Sequence, residues 1–497
     1  MYFLGIDTSA RRTLVVALDL ELASVVAHSS VEHNWLGGLP EGHVEQDPAG
    51  WISAVDQGVR ECVAKLGPAG RERVTGIGVS GQPGGTVVLD AKNRILRSAK
   101  LASDKSHMSD AEELASHFGG PPGLIELAGN ALNAGSPAAF LMGFKKQQPE
   151  KFAEIAAVLL PHDFINYWLT GVKRMEYGDA SGTGLMDVRT RSWCREIVEA
   201  IDPRLHECLP PVCSSRGSQG PLRPDLADSW NLPRNVLVSA GSGQAMLEAI
   251  GAGNVDAGGV TVTLGPTGRV SAVSDAPLID PRGEVGAFCD STDKWMPMVV
   301  TEGATDPLEM VSRTFSWDPV KLEMAVREGE LGAGGLMFLP QIDAGDGSGP
   351  SAFLHGMKRG NYTSVNLARA ATEGVALEFG HGLQRIVELG FEPRQVHVAG
   401  DWSRSAVWRQ MVSDVLGLPV AAAKGGDGAA LGAALQAAVA FFSESGEDLT
   451  YQEIAAYAAE PAEGSGCEPD EEAHEHYQEI LSRRQYLAES LRGSGLL

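Results

Sequence analysis

Val236-Leu-Val-Ser-Ala-Gly-Ser-Gly-Gln-Ala-Met-Leu-Glu-Ala-Ile-Gly251 decides the reading of this chain. Val236 to Ala240 is an apolar run of strand length. Gly241 and Gly243 punctuate it, and Ala245 to Ile250 is a small-residue helix. A strand–turn–helix junction presents backbone N–H groups and one side chain outward. Here that side chain is Gln244. A second unit follows, Gly259-Val-Thr-Val-Thr-Leu-Gly-Pro-Thr-Gly-Arg-Val-Ser-Ala-Val-Ser274, which reads as strand, Gly-Pro-Thr-Gly turn, strand. The N-terminus repeats that hairpin in Tyr2-Phe-Leu-Gly-Ile-Asp-Thr-Ser-Ala-Arg-Arg-Thr-Leu-Val-Val-Ala-Leu18, some 260 residues earlier. Two such hairpins predict two similar α/β halves.

At 497 residues the chain is long enough for two or more domains. Its apolar content of 43% and charged content of 21% are those of a globular protein. A net charge of −24 argues against nucleic acid or an acidic membrane surface as partner. Six cysteines stand at Cys62, Cys194, Cys208, Cys213, Cys289 and Cys467, with no Cys-x-x-Cys pair, and are expected to be reduced. No signal peptide and no membrane-length apolar run is read, so the expected compartment is the cytoplasm.

Several stretches, in order, resemble the FGGY family of carbohydrate kinases. They are Gly5-Ile-Asp7, Ile77-Gly-Val-Ser-Gly-Gln82 with Val88-Leu-Asp90, Leu159-Leu-Pro-His-Asp163 with Leu169-Thr-Gly171, and Asp179-Ala-Ser-Gly-Thr183 with Asp187. The second half adds Leu264-Gly265 with Thr267-Gly268, Trp408-Arg-Gln-Met411, Leu416-Gly-Leu-Pro419 and Gly428-Ala-Ala-Leu-Gly-Ala-Ala434. The resemblance implies an α/β fold of two actin-like (ribonuclease H-like) ATPase domains around a central cleft. It places a sugar-side domain at residues 1–238 and a nucleotide-side domain at 239–497. It also implies ATP and Mg²⁺ as cofactors, a small sugar or polyol as substrate, and a homodimer.

Carried over residue by residue, the resemblance assigns Asp7 to catalysis and the metal. Gln244 takes the position of the family's aspartate base. Gln82, Pro83, Gly84, Asp104 and Ala245 fall to the sugar. Ser9, Arg11, Gly265, Thr267, Gly268, Gly400, Asp401 and Ser403 fall to the nucleotide. This chain departs from the family pattern at many of these points. Ser9 and Ala10 stand for Gly and Thr, Gly84 for the sugar-contacting His, and Gln244-Ala245 for Asp-Asn. Gly265-Pro-Thr-Gly268 stands for Gly-Thr-Ser-Gly, and Gly400-Asp-Trp-Ser403 for Gly-Gly-Gly-Ala. The family's Gly-Glu-Arg-Thr-Pro segment is missing from Leu339 to Pro350, where Gly345 to Ser351 is a glycine-rich loop.

A carboxamide accepts no proton near neutral pH, though it can orient a hydroxyl. Asp104, Asp290 and Glu302 are the carboxylates that could replace the base. Pro266 removes a donor from its turn, and Trp402 adds bulk on the adenine side. Arg11, Arg12 and Arg269 place arginines in both hairpins, as an anion clamp would. Weak nucleotide binding is expected, and two functions follow: a xylulokinase-like sugar kinase with a rearranged site, or a catalytically inactive relative that binds a ligand or regulates.

Further along the chain, Pro48 to Lys65, Ser109 to His117, Pro149 to Leu160, Ser364 to Leu389 and Gly428 to Phe442 read as helices. Thr86 to Asp90 reads as a strand folding back on Val74 to Ser80. Asp202 to Asp228 reads as a connection near the domain boundary.

Overall fold

A computed structural model describes residues 1–340, 352–423 and 428–493. The Gly345 to Ser351 loop lies outside the described residues. The chain forms two compact units, each discontinuous in sequence. The first comprises Met1–Ala257, Val273–Pro297 and Asp427–Glu460; the second comprises Gly258–Ala272, Met298–Gly426 and Pro461–Leu497.

The first unit is built on a twisted sheet. Its strand order is Ser218–Pro221, Leu237–Ser239, Val74–Gly81, Tyr2–Thr8, Arg12–Asp19, Ser24–Glu32. Tyr2–Thr8 pairs antiparallel with Arg12–Asp19 and parallel with Val74–Gly81. These strands are apolar along most of their length because helices cover both faces. Pro48–Arg71 covers one, with Trp51, Val55, Val59 and Val63 buried at helical spacing and Asp47 as N-cap. Gly428–Glu444 covers the other.

Glycine makes that second contact possible. A Cβ on Gly5 would stand 1.8 Å from the Ala430 carbonyl oxygen, and one on Gly78 would stand 1.9 Å from that of Ala433. The motif glycine of Gly5-Ile-Asp7 is therefore a packing requirement. Gly5→Ala should cost about 3 kcal/mol, the upper part of the range for overpacking, read as a lowered urea midpoint at unchanged slope. A cost under about 0.5 kcal/mol would show that the helix can move aside.

The second unit repeats the order of the first. From Met298 onward, Trp295–Glu302 pairs antiparallel with Thr267–Ala272, which pairs antiparallel with Gly259–Thr263. Gly259–Thr263 runs parallel to Gln395–Ala399, and that strand parallel to Val420–Ala422. Each unit thus has a hairpin feeding two parallel neighbours, as the paired hairpins predicted. Ser364–Glu388 is this unit's long helix, with Val375, Phe379, Leu383 and Ile386 buried.

Three expectations are corrected. Thr86 to Asp90 does not fold back on Val74–Gly81, which already has strands on both sides. Instead Val87–Leu89 pairs with Ala157–Leu159. The predicted Pro149 to Leu160 helix accordingly stops at Ala153 to supply that strand. Asp202 to Asp228 is no linker, since it contains the edge strand Ser218–Pro221 and the helix Pro224–Trp230.

Candidate functional site

In open α/β sheets, ligands gather at the carboxyl ends of parallel strands. In the first unit, register puts Asp7 beside Ser80, and both Thr8 and Gly243 beside Gly81. The first strand, the central strand and the turn before Gln244 therefore end together.

Asp7 is 9% exposed. Ser80 Oγ donates to its Oδ1 at 2.7 Å, and Gln244 Nε2 donates to its Oδ2 at 3.1 Å. Burial lifts the Asp7 carboxyl to about 6, against those two hydrogen bonds, which pull it down. Asp7 and Gln244 are 237 residues apart in sequence and adjacent in space.

The turn that presents Gln244 is braced by buried polar groups. Gln436 accepts from Ser239 Oγ and Gly241 N and donates to Gly241 O. Asn166 Nδ2 donates to Ala240 O at 2.7 Å. Glu176 accepts from Ser242 Oγ at 2.6 Å and caps a short helix through Gly178 N. Burial pushes its carboxyl up to about 7, against the Ser215 and Ser242 hydrogen bonds. His162 lies wholly buried, Nδ1 at 2.8 Å from Asp179 Oδ2 and Nε2 at 2.8 Å from Asp163 Oδ1. Burial works against its charged form, but the two carboxylates outweigh it and raise its pKa.

Of the residues the resemblance assigns to the sugar, Gln82 is buried, and its backbone N–H bonds Thr8 O at 2.9 Å. Gly84 holds φ +82, and a Cβ there would come within 2.9 Å of the Ala102 backbone. The family histidine cannot be restored at this position without moving the loop. Asp104 is buried with both oxygens engaged: Oδ2 accepts from Val44 N at 2.7 Å and Lys100 Nζ at 2.8 Å, and Oδ1 accepts from Ser106 N at 2.9 Å. Burial opposes its ionisation, but Lys100, Ser106 and Val44 outweigh that and hold the pKa low. Such a carboxylate is a poor proton acceptor, and its geometry is that of a loop anchor.

His43, Glu45 and Asp104 have the ligand spacing of a cation site. The Lys100 ammonium fills it, at 3.1 Å from Glu45 Oε1, 2.8 Å from Asp104 Oδ2 and 3.2 Å from His43 Nδ1. Asp290 is likewise spent on its own turn, accepting from Thr292 N and Lys294 N.

In the first hairpin turn, Ser9 gives both its N–H and its hydroxyl to Arg12 O at 3.0 Å. Arg11 stacks over the Trp35 ring at 5.6 Å. In the second unit, Leu264 N meets Ala399 O at 3.4 Å, and a Cβ on Gly400 would stand 2.5 Å from Leu264 O. Gly265, Thr267, Gly268 and Gly400 thus cluster at that sheet's equivalent edge. A Cβ on Gly265 would meet only Thr267 O, at 3.7 Å, whereas one on Gly268 would come within 2.6 Å of Ala304 and 2.8 Å of the Phe379 ring. Thr267 Oγ1 donates to Glu302 at 3.3 Å, and Ser403 is buried, its carbonyl taken by Arg409 Nη1. The Asp401 side chain is outside what is described.

Sequence reasoning missed Gln46, Lys100 and the role of His162. Only His162 had a signal, as a polar residue inside the apolar Leu159-Leu-Pro-His-Asp163 run.

Two sheets, each with a hairpin whose first strand runs parallel to its next neighbour, are the architecture of a two-domain actin-like ATPase fold. Residues 2–251 match the N-terminal domain and residues 325–441 the C-terminal domain of the FGGY family of carbohydrate kinases, and the chain belongs to that family. It is similar to the xylulose kinase of Haemophilus influenzae, 33% identical over 88% of this chain and 90% of that protein. The xylulose kinase of Escherichia coli is 30% identical over the same shares. Among solved structures, a xyloylose kinase from Brucella ovis superposes with a TM-score of 0.90 at 28% identity, covering 99% of this chain and 100% of that one. A gluconate kinase from Lactobacillus acidophilus reaches 0.89 at 18% identity, covering 99% and 98%, which shows the fold alone. Among the described residues, no helix is long and apolar enough to cross a membrane.

Proposed function

We propose that the chain transfers the terminal phosphoryl group of ATP to a small ketose or polyol, with D-xylulose the first substrate to test, and that it does so slowly. The observation that carries this reading is the Asp7–Gln244 contact in a chain one-third identical to a xylulose kinase. Gln82 and Gln244 orient the sugar hydroxyl. Asp7 suits Mg²⁺, because each carboxylate oxygen keeps a lone pair beyond its single hydrogen bond. When bound, the metal supplies neutralisation of phosphate charge. Gly265 and Gly268 offer backbone donors to phosphate, and Gly400 and Ser403 line the nucleoside side.

Gln244 also favours a second reading, a relative that binds ligand without turnover. The two separate on a coupled ADP-release assay with D-xylulose and a panel of pentuloses and polyols. Product above background supports the kinase. Ligand-induced thermal stabilisation without product supports the binding protein.

Nucleotide affinity follows from the first turn. Ser9 spends its N–H and hydroxyl on Arg12 O, so neither is free for a phosphate. Mg-ATP is expected to bind more weakly than micromolar by calorimetry, and Ser9→Gly with Ala10→Thr should tighten it. Micromolar binding by the unaltered chain would overturn this.

A further inference from the structure

Gln46 belongs to a two-residue strand, Glu45–Gln46, paired with Ala99–Lys100. The pairing leaves Gln46 1% exposed. All of its amide is used. Oε1 accepts from Gln82 Nε2 at 2.8 Å and from Trp51 Nε1 at 2.9 Å. Nε2 donates to Ala10 O at 2.7 Å and faces His33 Nδ1 at 3.3 Å.

The chemistry of its partners fixes the amide's orientation. An indole N–H only donates and a backbone carbonyl only accepts, so Oε1 must face Trp51 and Nε2 must face Ala10. Gln82 is then fixed in turn, with its nitrogen toward Gln46. Its own Oε1 is left as an acceptor, suited to a hydroxyl donor.

We propose that Gln46 is a positioning residue that joins the Gln82 loop to the Ser9–Arg12 turn, orienting the first toward a polyol hydroxyl and holding the second for an anion. The proposal rests on the kinase reading for its ligands, but the coupling itself is a property of the free protein. Trp35 Nε1 also donates to Ala10 O, at 3.0 Å, so the turn is held at one carbonyl from two sides. Loss of Gln46 loosens it without freeing it.

Two variants cut the hub differently. Gln46→Glu keeps an acceptor for Gln82 and Trp51 but loses the donor to Ala10. Gln46→Met fills the volume and loses both. Amide hydrogen exchange on the full chain reads the coupling without substrate. Gln46→Glu should speed exchange at residues 8–12 by roughly five- to tenfold, the worth of one hydrogen bond, and leave residues 81–85 unchanged. Gln46→Met should speed both segments. In kinetics, Gln46→Glu should raise KM for Mg-ATP while leaving the sugar KM within about twofold, and Gln46→Met should raise both. Equal changes in both segments for Gln46→Glu, or none in either, would overturn the proposal. If the unaltered chain phosphorylates no sugar or polyol, the kinase reading fails, and the exchange result alone decides the positioning role.

Discussion

Gln244→Asp should raise kcat for D-xylulose phosphorylation by about 10²–10⁴-fold, the usual worth of a general base. The unaltered chain should run well below the ~10 s⁻¹ typical of enzymes. The reason lies in the Asp7–Gln244 contact. A carboxamide can hold the substrate hydroxyl but cannot take its proton, and the other candidate carboxylates of this unit are committed. Asp104 accepts from Lys100, Ser106 and Val44, and Asp290 caps its own turn.

The substitution also has a cost that geometry makes explicit. Gln244 Nε2 donates to Asp7 Oδ2. Aspartate there removes a donor and sets a second carboxylate beside Asp7, which disfavours ionisation of both. The gain should therefore depend on Mg²⁺ more steeply than the residual activity of the parent does, and without Mg²⁺ the variant should melt lower.

Full family-level activity is not expected from this change alone. Ser9 still closes its turn on Arg12 O, and phosphoryl transfer depends chiefly on positioning and charge stabilisation. Adding Gly84→His would not help, given φ +82 and the Ala102 backbone against that position. The assay is coupled ADP release from the parent, Gln244→Asp and Gln244→Asn, with Gln244→Asn as the control that restores no base. Parent turnover near ~10 s⁻¹ on any pentulose would place the base elsewhere. No gain in Gln244→Asp would show that the turn, and not the missing base, limits the rate.

Much of the fold was legible because it is written locally. The hairpins at Tyr2 and Gly259 each need only an apolar run, a short polar turn and a second apolar run. Their repetition implies the repeated sheet. The helix at Pro48 carries its own period in Trp51, Val55, Val59 and Val63. What failed was pairing at a distance: Val87–Leu89 reads as a strand, but nothing near it shows that its partner is Ala157–Leu159.

The site divides in the same way. Asp7, Gln82 and Gln244 stand at strand ends beside glycines, where a turn advertises itself. Gln46 and Lys100 sit in two-residue strands that pair with each other, Glu45 opposite Lys100 and Gln46 opposite Ala99, 55 and 53 residues apart. A glutamine before a helix and a lysine after a strand are ordinary surface residues by composition, and only tertiary packing buries them. Asp104 shows the converse. It stands out in the sequence as a candidate acid, but its commitment to Lys100 is set only by the fold.

That commitment yields the largest stability effect expected at this site. Lys100 is 4% exposed and is surrounded by Glu45, Asp104, His43 and the Ser106 hydroxyl. Replacing it with methionine keeps the volume and removes the cation. A buried pair broken on one side leaves an uncompensated charge, at a cost of about 3–5 kcal/mol. Arg97 still reaches Glu45 at 2.9 Å, so Asp104 should bear most of the loss. In the parent, both carboxyls are held below their ordinary values. Burial opposes this in each case, and it is outweighed by Ser98, Arg97 and Lys100 at Glu45, and by Lys100, Ser106 and Val44 at Asp104. Groups with lowered pKa stabilise the fold above their unfolded pKa, and the benefit fades as pH falls through the folded value. In Lys100→Met, Asp104 loses the first of the groups that hold its pKa down, so burial is opposed only by Ser106 and Val44 and the pKa moves up. The variant's deficit should then be largest near neutral pH and shrink toward pH ~4, the ordinary carboxyl range. Urea unfolding at several pH values measures it. Adding Asp104→Asn to Lys100→Met should recover part of the loss at neutral pH, since the amide needs no counter-charge. A deficit below about 1 kcal/mol, or one that does not vary with pH, would show that water rather than Lys100 compensates these carboxylates.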